Sequence, residues 1–173
     1  MKRILPLFLL GVFGMFAVGA AETLLHETVF KAPKKGFFFW HVKAIESTAT
    51  VSEGVAKIEI RANNAEKPNL NNAQFIVPYA KGLRGGVKYR VEATVKSSAD
   101  LTVRMAVNLN KRPWTLLTDK SFKLKAGEAE KLSLDFSPAA DITETYRVPM
   151  FGFGLATPGT SLEVSDVKLF EVK

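Results

Sequence analysis

The sequence contains no cysteine and only two histidines, His26 and His41, among its 173 residues. The lack of cysteine excludes a disulfide scaffold, a thiolate zinc site, an iron–sulfur cluster and a cysteine nucleophile. Two histidines leave little material for a metal centre built on imidazole ligands. The sequence also has no Gly-x-Ser-x-Gly, His-Glu-x-x-His or phosphate-loop motif, so no class of enzyme is indicated.

The composition is that of one folded domain. Hydrophobic residues make up 47% of the chain and charged residues 24%, which argues against intrinsic disorder. No linker, internal repeat or low-complexity tract divides residues 21–173. The net charge of +7 is scattered along the chain and forms no dense basic stripe, so we expect no nucleic-acid partner. The charge is compatible with simple solubility or with attraction to an acidic glycan or anionic surface.

Residues 1–20 are predicted to be a secretory signal peptide. Two basic residues precede an uncharged run, 4–18, and Val18 and Ala20 suit the −3 and −1 positions of a cleavage site. The alternative is a retained membrane anchor, but the run has 15 residues where a spanning helix needs about 20. We therefore expect a secreted or periplasmic protein whose mature chain, 21–173, has no membrane span.

The rest of the chain shows the two-residue alternation of apolar and polar side chains that is typical of a sheet with one buried face. The alternation is clearest at 89–96, 101–109 and 132–136, and no segment has the pattern of a long amphipathic helix. Shorter strands are predicted at 23–30, 55–61, 73–79, 121–125, 144–150 and 161–172. Eight or nine short strands separated by turn residues predict an all-β fold, an antiparallel β-sandwich or barrel.

Six short motifs follow one another in an order that resembles a known family. They are Phe37-Phe38-Phe39-Trp40, Gly54 leading into a strand, Gln74-Phe75-Ile76-Val77, Gly86-Val87-Lys88-Tyr89, Ala126-Gly127-Glu128 and Asp166-Val167-Lys168-Leu169. The series resembles the carbohydrate-binding modules of families 4, 9 and 22, within the galactose-binding-like jelly rolls. The resemblance implies a jelly-roll β-sandwich that binds a polysaccharide or cell-surface glycan without catalysis, alone or beside a separate glycan-active enzyme.

A glycan site needs an aromatic platform for the apolar ring faces and planar hydrogen-bonding groups for the hydroxyls. Such side chains are expected on the outward face of a sheet or in the flanking loops. The carbohydrate-binding candidates are Gln74, Arg90, Glu92, Arg104, Asn108, Arg112 and Trp114. Each of these residues also has a purely structural interpretation. The charged residues would be solvated groups on the face of a sheet, and Trp114 would pack its loop against the core. Trp40, which follows three phenylalanines, is expected to be a core residue more often than a ligand contact.

A structural calcium ion is the one metal that the sequence suggests. In the last predicted strand, Leu162 and Val164 lie at even-numbered positions, whereas Val167 and Leu169 lie at odd-numbered positions. The apolar residues can share one face only if the strand contains an extra residue, so a β-bulge is predicted at Ser165–Asp166. If the first and last strands pair, as in the resembled family, Asp166 and Glu27 could supply oxygen ligands. The alternative is that Asp166 is an ordinary surface acid, since the paired acid that often precedes it in the family is replaced by Ser165.

Three functions stay open at this point. A carbohydrate-binding protein would have a groove on one sheet face, lined by Arg104, Asn108 and an aromatic residue. A protein-interaction module on the same fold would show a flat apolar patch there. A small enzyme would have a deep pocket with opposed carboxylates.

Overall fold

A computed structural model describes residues 21–173, and the predicted signal peptide, 1–20, lies outside this range. The described chain consists of eleven β-strands and one short 3₁₀ helix. The strands are β1 (Glu22–Thr28), β2 (Phe38–His41), β3 (Ile45–Ser52), β4 (Val55–Asn63), β5 (Ala73–Tyr79), β6 (Lys88–Ser97), β7 (Leu101–Leu109), β8 (Leu116–Leu124), β9 (Ala129–Phe136), β10 (Tyr146–Gly152) and β11 (Ser161–Val172). The 3₁₀ helix is Leu70–Asn72.

The strands form two antiparallel sheets. One sheet has the order β3-β4-β11-β6-β9, with β1 also paired to β11, and the other has the order β2-β5-β10-β7-β8. The predicted all-β class and antiparallel β-sandwich are confirmed. Within residues 21–173, no helix has the length and apolar character that a membrane crossing requires.

The core lies between the two sheets and is built by the alternation that the sequence shows. Val91, Ala93 and Val95 of β6 face Val103 and Met105 of β7 across the interior, and all are buried. Along β6 and β7, alternate side chains therefore face the core and the others face away from it. On the five-stranded sheet, the outward parity forms a groove.

Strand β11 pairs with two different strands, β4 and β1, along the same side. Its first half, 161–164, pairs with β4, and its second half, 167–172, pairs with β1. The register with β6 shifts between Ser165 and Lys168, and Asp166 has a φ of 50°. The bulge predicted at Ser165–Asp166 is therefore confirmed, and it lets one strand serve two partners in turn.

Two strands, β2 and β3, are absent from the sequence prediction, which expected eight or nine strands in place of eleven. Strand β3 consists mostly of serine, threonine and alanine, so its alternation has little contrast in hydrophobicity. It is an edge strand that pairs only with β4, through a two-residue hairpin turn at Glu53–Gly54 in which both residues have positive φ. Strand β2 has the sequence Phe-Phe-Trp-His, which shows no alternation of apolar and polar residues from which a strand could be predicted.

Candidate functional site

The outer face of the five-stranded sheet carries an open groove with a volume of about 550 Å³. Strands β2, β5, β10 and β7, the β7–β8 loop and the segment before β5 all contribute to it. The lining residues are Trp40, Asn71, Gln74, Arg104, Asn108, Arg112, Trp114, Leu116, Arg147 and Met150. Two aromatic rings, three guanidinium groups and three amides therefore meet in one concave surface.

The floor of the groove is apolar. Met150 is the cross-strand partner of Ile76 on one side and of Ala106 on the other. These three side chains form a small buried cluster, separate from the main core between the sheets. A dry floor of this kind excludes water beneath the polar groups and strengthens their electrostatic interactions with a ligand.

Two tryptophans line the groove from different parts of the fold. Trp40 lies on the edge strand β2 and is 48% exposed, and Trp114 lies in the β7–β8 loop and is 44% exposed. Trp114 has a φ of 58°, a backbone conformation that is uncommon for a bulky residue. Strained residues of this kind cluster at functional sites. Nearly half of each side chain is therefore open to a ligand.

The segment 69–72 reaches the groove because β10 ends at Gly152 and is followed by Gly154, two positions where a side chain would block it. A Cβ atom on Gly152 would lie 2.8 Å from the Leu70 carbonyl oxygen. Gly154 N–H donates to that same carbonyl at 2.9 Å. Asn69 caps the 3₁₀ helix by accepting from Asn71 N at 2.9 Å. These contacts place the Asn71 side chain beside the outward row of the sheet.

A hydrogen-bonded network links the polar side chains that line the groove. Arg147 Nε donates to Asn110 Oδ1 at 2.9 Å, and Arg147 Nη1 donates to Gln74 Oε1 at 3.1 Å. Gln74 Nε2 in turn donates to the Asn71 carbonyl oxygen at 2.9 Å. Arg104 Nη1 donates to Asn71 Oδ1 at 2.9 Å. The network fixes the orientation of these planar groups before any ligand arrives, which reduces the entropy cost of binding.

The three arginines of the groove differ in their surroundings. Arg104 is paired with Asp119, whose Oδ2 accepts from Arg104 Nε at 2.8 Å. Arg147 is half-buried, and its guanidinium carbon lies 4.5 Å from the centre of the Trp114 ring. Burial lowers the pKa of Arg147. Arg112 is exposed in the β7–β8 loop.

Asn108 presents a buried acceptor to the groove. The residue is 5% exposed, and its Oδ1 has no hydrogen-bond partner among residues 21–173. An unpaired buried oxygen costs about 1–3 kcal/mol, and a ligand hydroxyl that donated to it would remove that cost.

Five of the seven carbohydrate-binding candidates come together in this groove: Gln74, Arg104, Asn108, Arg112 and Trp114. The other two do not, because β6 belongs to the six-stranded sheet. Arg90 there pairs with Asp135 at 2.7 Å, and Glu92 pairs with Lys131 at 2.7 Å. Arg90 and Glu92 therefore face outward from the other sheet, because β6 and β7 are consecutive in sequence but lie in different sheets.

Five lining residues are not among the candidates from the sequence: the apolar Leu116 and Met150, and also Trp40, Asn71 and Arg147. Trp40 was expected in the core, but Phe37 to Trp40 alternate between buried and exposed positions, and a run of four aromatic residues hides that alternation. Arg147 precedes a register shift between 147 and 150 that interrupts the parity of β10. Asn71 comes from a loop, whose direction no periodicity reveals.

The calcium site stays a prediction, and the residues present do not favour it. Strand β1 pairs with β11 as expected, but Glu27 lies opposite Lys168 and forms an ion pair with it at 3.4 Å. Asp166 is exposed at the bulge and accepts only from the adjacent Ser165 Oγ at 3.3 Å. In the described part of the chain, no group of three or more His, Asp or Glu side chains is placed to hold a metal ion.

No protein-family model matches the chain, and no curated protein matches it significantly. Solved structures do match. A family 4 carbohydrate-binding module superposes with a TM-score of 0.65 and 19% identity, covering 84% of this chain and 94% of its own. The fold is that of a jelly-roll carbohydrate-binding module. The resemblance indicated by the sequence is thus confirmed at the level of the fold.

Two other structures show the same architecture. The N-terminal cellulose-binding domain of Cellulomonas fimi β-1,4-glucanase C has a TM-score of 0.56 and 20% identity, with 78% of this chain and 87% of that chain covered. The CBM22-1 xylan-binding domain of Paenibacillus barcinonensis Xyn10C has a TM-score of 0.60 and 9% identity, with 90% and 98% covered. At these identities the likeness concerns backbone topology and leaves the ligand open.

Proposed function

We propose that this chain is a secreted, non-catalytic carbohydrate-binding protein that holds a polysaccharide in the groove of its five-stranded sheet. The observation that carries the proposal is the meeting of two half-exposed tryptophans, Trp40 and Trp114, with an ordered set of arginine and amide groups in one open groove. The cellulose-binding and xylan-binding domains that share this fold support it by analogy.

The chemistry of the groove suits a sugar polymer. A pyranose ring has apolar C–H faces, for which Trp40 and Trp114 offer platforms, and polar edges that need hydrogen-bond partners. Asn108 Oδ1 provides a buried acceptor, and the arginines provide donors. The groove is open to solvent, so a polymer longer than the site does not have to enter a closed pocket.

Among residues 21–173, no acidic side chain lines the groove. Glycoside hydrolysis uses two carboxylates about 5–10 Å apart across the scissile bond. Asp119, adjacent to the lining, is engaged by Arg104 at 2.8 Å. Cleavage of the bound polymer would fall to a separate glycan-active enzyme.

Binding is tested with the purified protein on a panel of insoluble polysaccharides and by affinity electrophoresis in soluble ones, with xylan and cellulose included. We expect retention by at least one polymer, and a loss of roughly tenfold or more in affinity for Trp40→Ala and for Trp114→Ala. The matched control is Leu155→Ala, since Leu155 is 46% exposed but does not line the groove. If both tryptophan variants bind like the parent, the groove is not the site. If no polysaccharide is retained, the protein-interaction alternative takes precedence.

Secretion is tested independently of binding. Expression with the native N-terminus in a bacterial host should give an exported chain whose first residue is Ala21, determined by N-terminal sequencing or intact mass. Charged substitutions at Val18 and Ala20 should block cleavage. A chain that keeps residues 1–20 in the membrane fraction would show an anchor instead.

A further inference from the structure

The charge in the groove is unbalanced. Among residues 21–173, Arg104 has a carboxylate partner in Asp119, whereas Arg112 and Arg147 form no salt bridge. Three guanidinium groups and one nearby carboxylate leave the site with an excess of about two positive charges at neutral pH. A neutral polymer would not require this excess.

Arg147 carries the argument because its charge is partly removed from water without an acidic partner. Its contacts are all with neutral groups: Asn110 Oδ1, Gln74 Oε1, the Met150 sulfur at 3.8 Å and the face of Trp114. Burial lowers the pKa of Arg147, the direction expected when a cation lacks a compensating anion. Its Nη2 group makes no hydrogen bond among residues 21–173, so these two N–H donors are available.

Asn108 lies directly across from Arg147. The two residues are cross-strand partners in the β7–β10 pair, so their Cβ atoms are about 5 Å apart on the groove face. Asn108 Oδ1 lacks a donor, and Arg147 Nη2 lacks an acceptor. A ligand that satisfied both would carry an anionic oxygen next to a hydroxyl, an arrangement found in sugar acids and sulfated sugars.

We infer that the groove selects an acidic polysaccharide, in which an anionic oxygen pairs with Arg147 and Arg112 and a neighbouring hydroxyl donates to Asn108. This inference rests on the proposed carbohydrate binding and adds the class of sugar. A uronic acid carboxylate and a sulfate ester offer the same anionic oxygens to a guanidinium, and the experiment separates these two sources.

The test compares matched polymers by affinity electrophoresis at physiological ionic strength. Polygalacturonate is compared with its methyl ester, and dextran sulfate is compared with dextran. We expect at least one acidic polymer to bind roughly tenfold or more tightly than its neutral counterpart, since a charge-assisted hydrogen bond contributes on that scale. A preference in the first pair assigns a carboxylate, and a preference in the second assigns a sulfate ester.

Variants separate a built site from general attraction to a basic protein. Arg112→Gln and Arg147→Gln should each abolish most of the preference, whereas Arg61→Gln should keep it. Arg61 is exposed on β4 of the six-stranded sheet and loses the same unit of charge. If Arg147→Gln does not fold, Arg147→Lys keeps the charge and loses the planar fork, and the exposed Arg112 remains informative.

Equal binding of acidic and neutral polymers overturns the inference. An equal loss of the preference for the acidic polymer in Arg61→Gln and in the groove variants also overturns it. If the inference fails but neutral xylan or cellulose is retained, and Trp114→Ala weakens that retention, the proposed function still holds. If no polymer of either charge is retained, both the inference and the proposed function are wrong.

Discussion

The guanidinium carbon of Arg147 lies 4.5 Å from the centre of the Trp114 ring, on the outer face of the five-stranded sheet. The two residues come from elements that are distant in sequence, β10 and the β7–β8 loop. A cation over an indole face is stabilised by about 0.5–1 kcal/mol at an exposed site and by more when water is excluded. The pair therefore holds the Trp114 ring in place although nearly half of its surface is exposed.

Tryptophan fluorescence should report occupancy of the groove directly. The chain has only two tryptophans, and both line the groove, so a retained polysaccharide should shift or quench the emission. Trp40→Phe and Trp114→Phe each leave a single reporter with an aromatic platform at both positions. We expect both single-tryptophan proteins to respond to the ligand. An unchanged spectrum from both, with retention intact, would place the ligand elsewhere.

Tyr146→Phe should stabilise the protein. Tyr146 is fully buried, its hydroxyl has no hydrogen-bond partner among residues 21–173, and burial, with a smaller contribution from Glu144, raises its pKa to about 12. Removal of an unpaired polar group from a site of unchanged shape should raise the free energy of unfolding by about 1 kcal/mol. Urea denaturation followed by circular dichroism measures the change.

Tyr89→Phe is the matched control. Tyr89 is equally buried, but its hydroxyl accepts from Arg84 N–H at 2.9 Å. The substitution should lower the free energy of unfolding by about 1 kcal/mol, because it leaves that N–H without its acceptor. The same sign of change in both variants would contradict the hydrogen-bond assignment.

Gly154→Ala should destabilise the chain strongly. A Cβ atom on Gly154 would overlap the Asn69 carbonyl oxygen and lie 2.8 Å from Ala73 N. These are backbone atoms of the segment that carries Asn71, so the clash should cost about 3 kcal/mol or more and weaken glycan retention. Gly54→Ala is the control: nothing lies within 4 Å, and only its φ of 79° opposes a side chain, at about 1 kcal/mol. Thermal denaturation of both variants gives the comparison.

Asp135 should make stability depend on acid pH. A hydrogen bond from Arg90 holds the pKa of Asp135 below its ordinary value of 3.8. A carboxyl whose pKa is lower in the folded state than in the unfolded state stabilises the fold when the pH is above its unfolded-state pKa. This stabilisation is lost as the pH falls through the folded-state pKa. The group is partly exposed, so the effect should stay below about 1 kcal/mol. Asp135→Asn should melt below the parent at pH 7, and the two melting temperatures should converge near pH 2.

Much of the fold follows from the sequence because alternation marks the strands that contribute to both core and surface. Strands β6 and β7 are clear examples, since every core position is Val, Ala, Met, Tyr or Leu and its neighbours are mostly polar. Alternation shows which side chains lie on the same face of a strand. It does not show which sheet the strand joins, because that depends on pairing with strands distant in sequence. For that reason the sequence predicts an outward position for both Arg104 and Arg90 but does not reveal that they lie on different sheets.

The groove residues that the sequence does not predict lie where regular strand geometry is interrupted. Arg147 lies beside a register shift, and Asn71 lies in a segment that packs over Gly152 and Gly154 at the end of β10. The exposed position of Trp40 follows from an edge strand made entirely of aromatic residues and one histidine. These placements are set by tertiary packing, and local sequence carries little of that information.

The two ends of the described chain meet on β11. Lys173 N–H donates to the Ala21 carbonyl oxygen at 3.0 Å, and Glu22 lies opposite Val172. A tether at either end, whether to a surface, to a second copy or to an enzyme, would thus leave from the same corner of the molecule. That corner belongs to the six-stranded sheet, on the opposite side of the sandwich from Trp40 and Trp114, so attachment by either end would leave the groove uncovered.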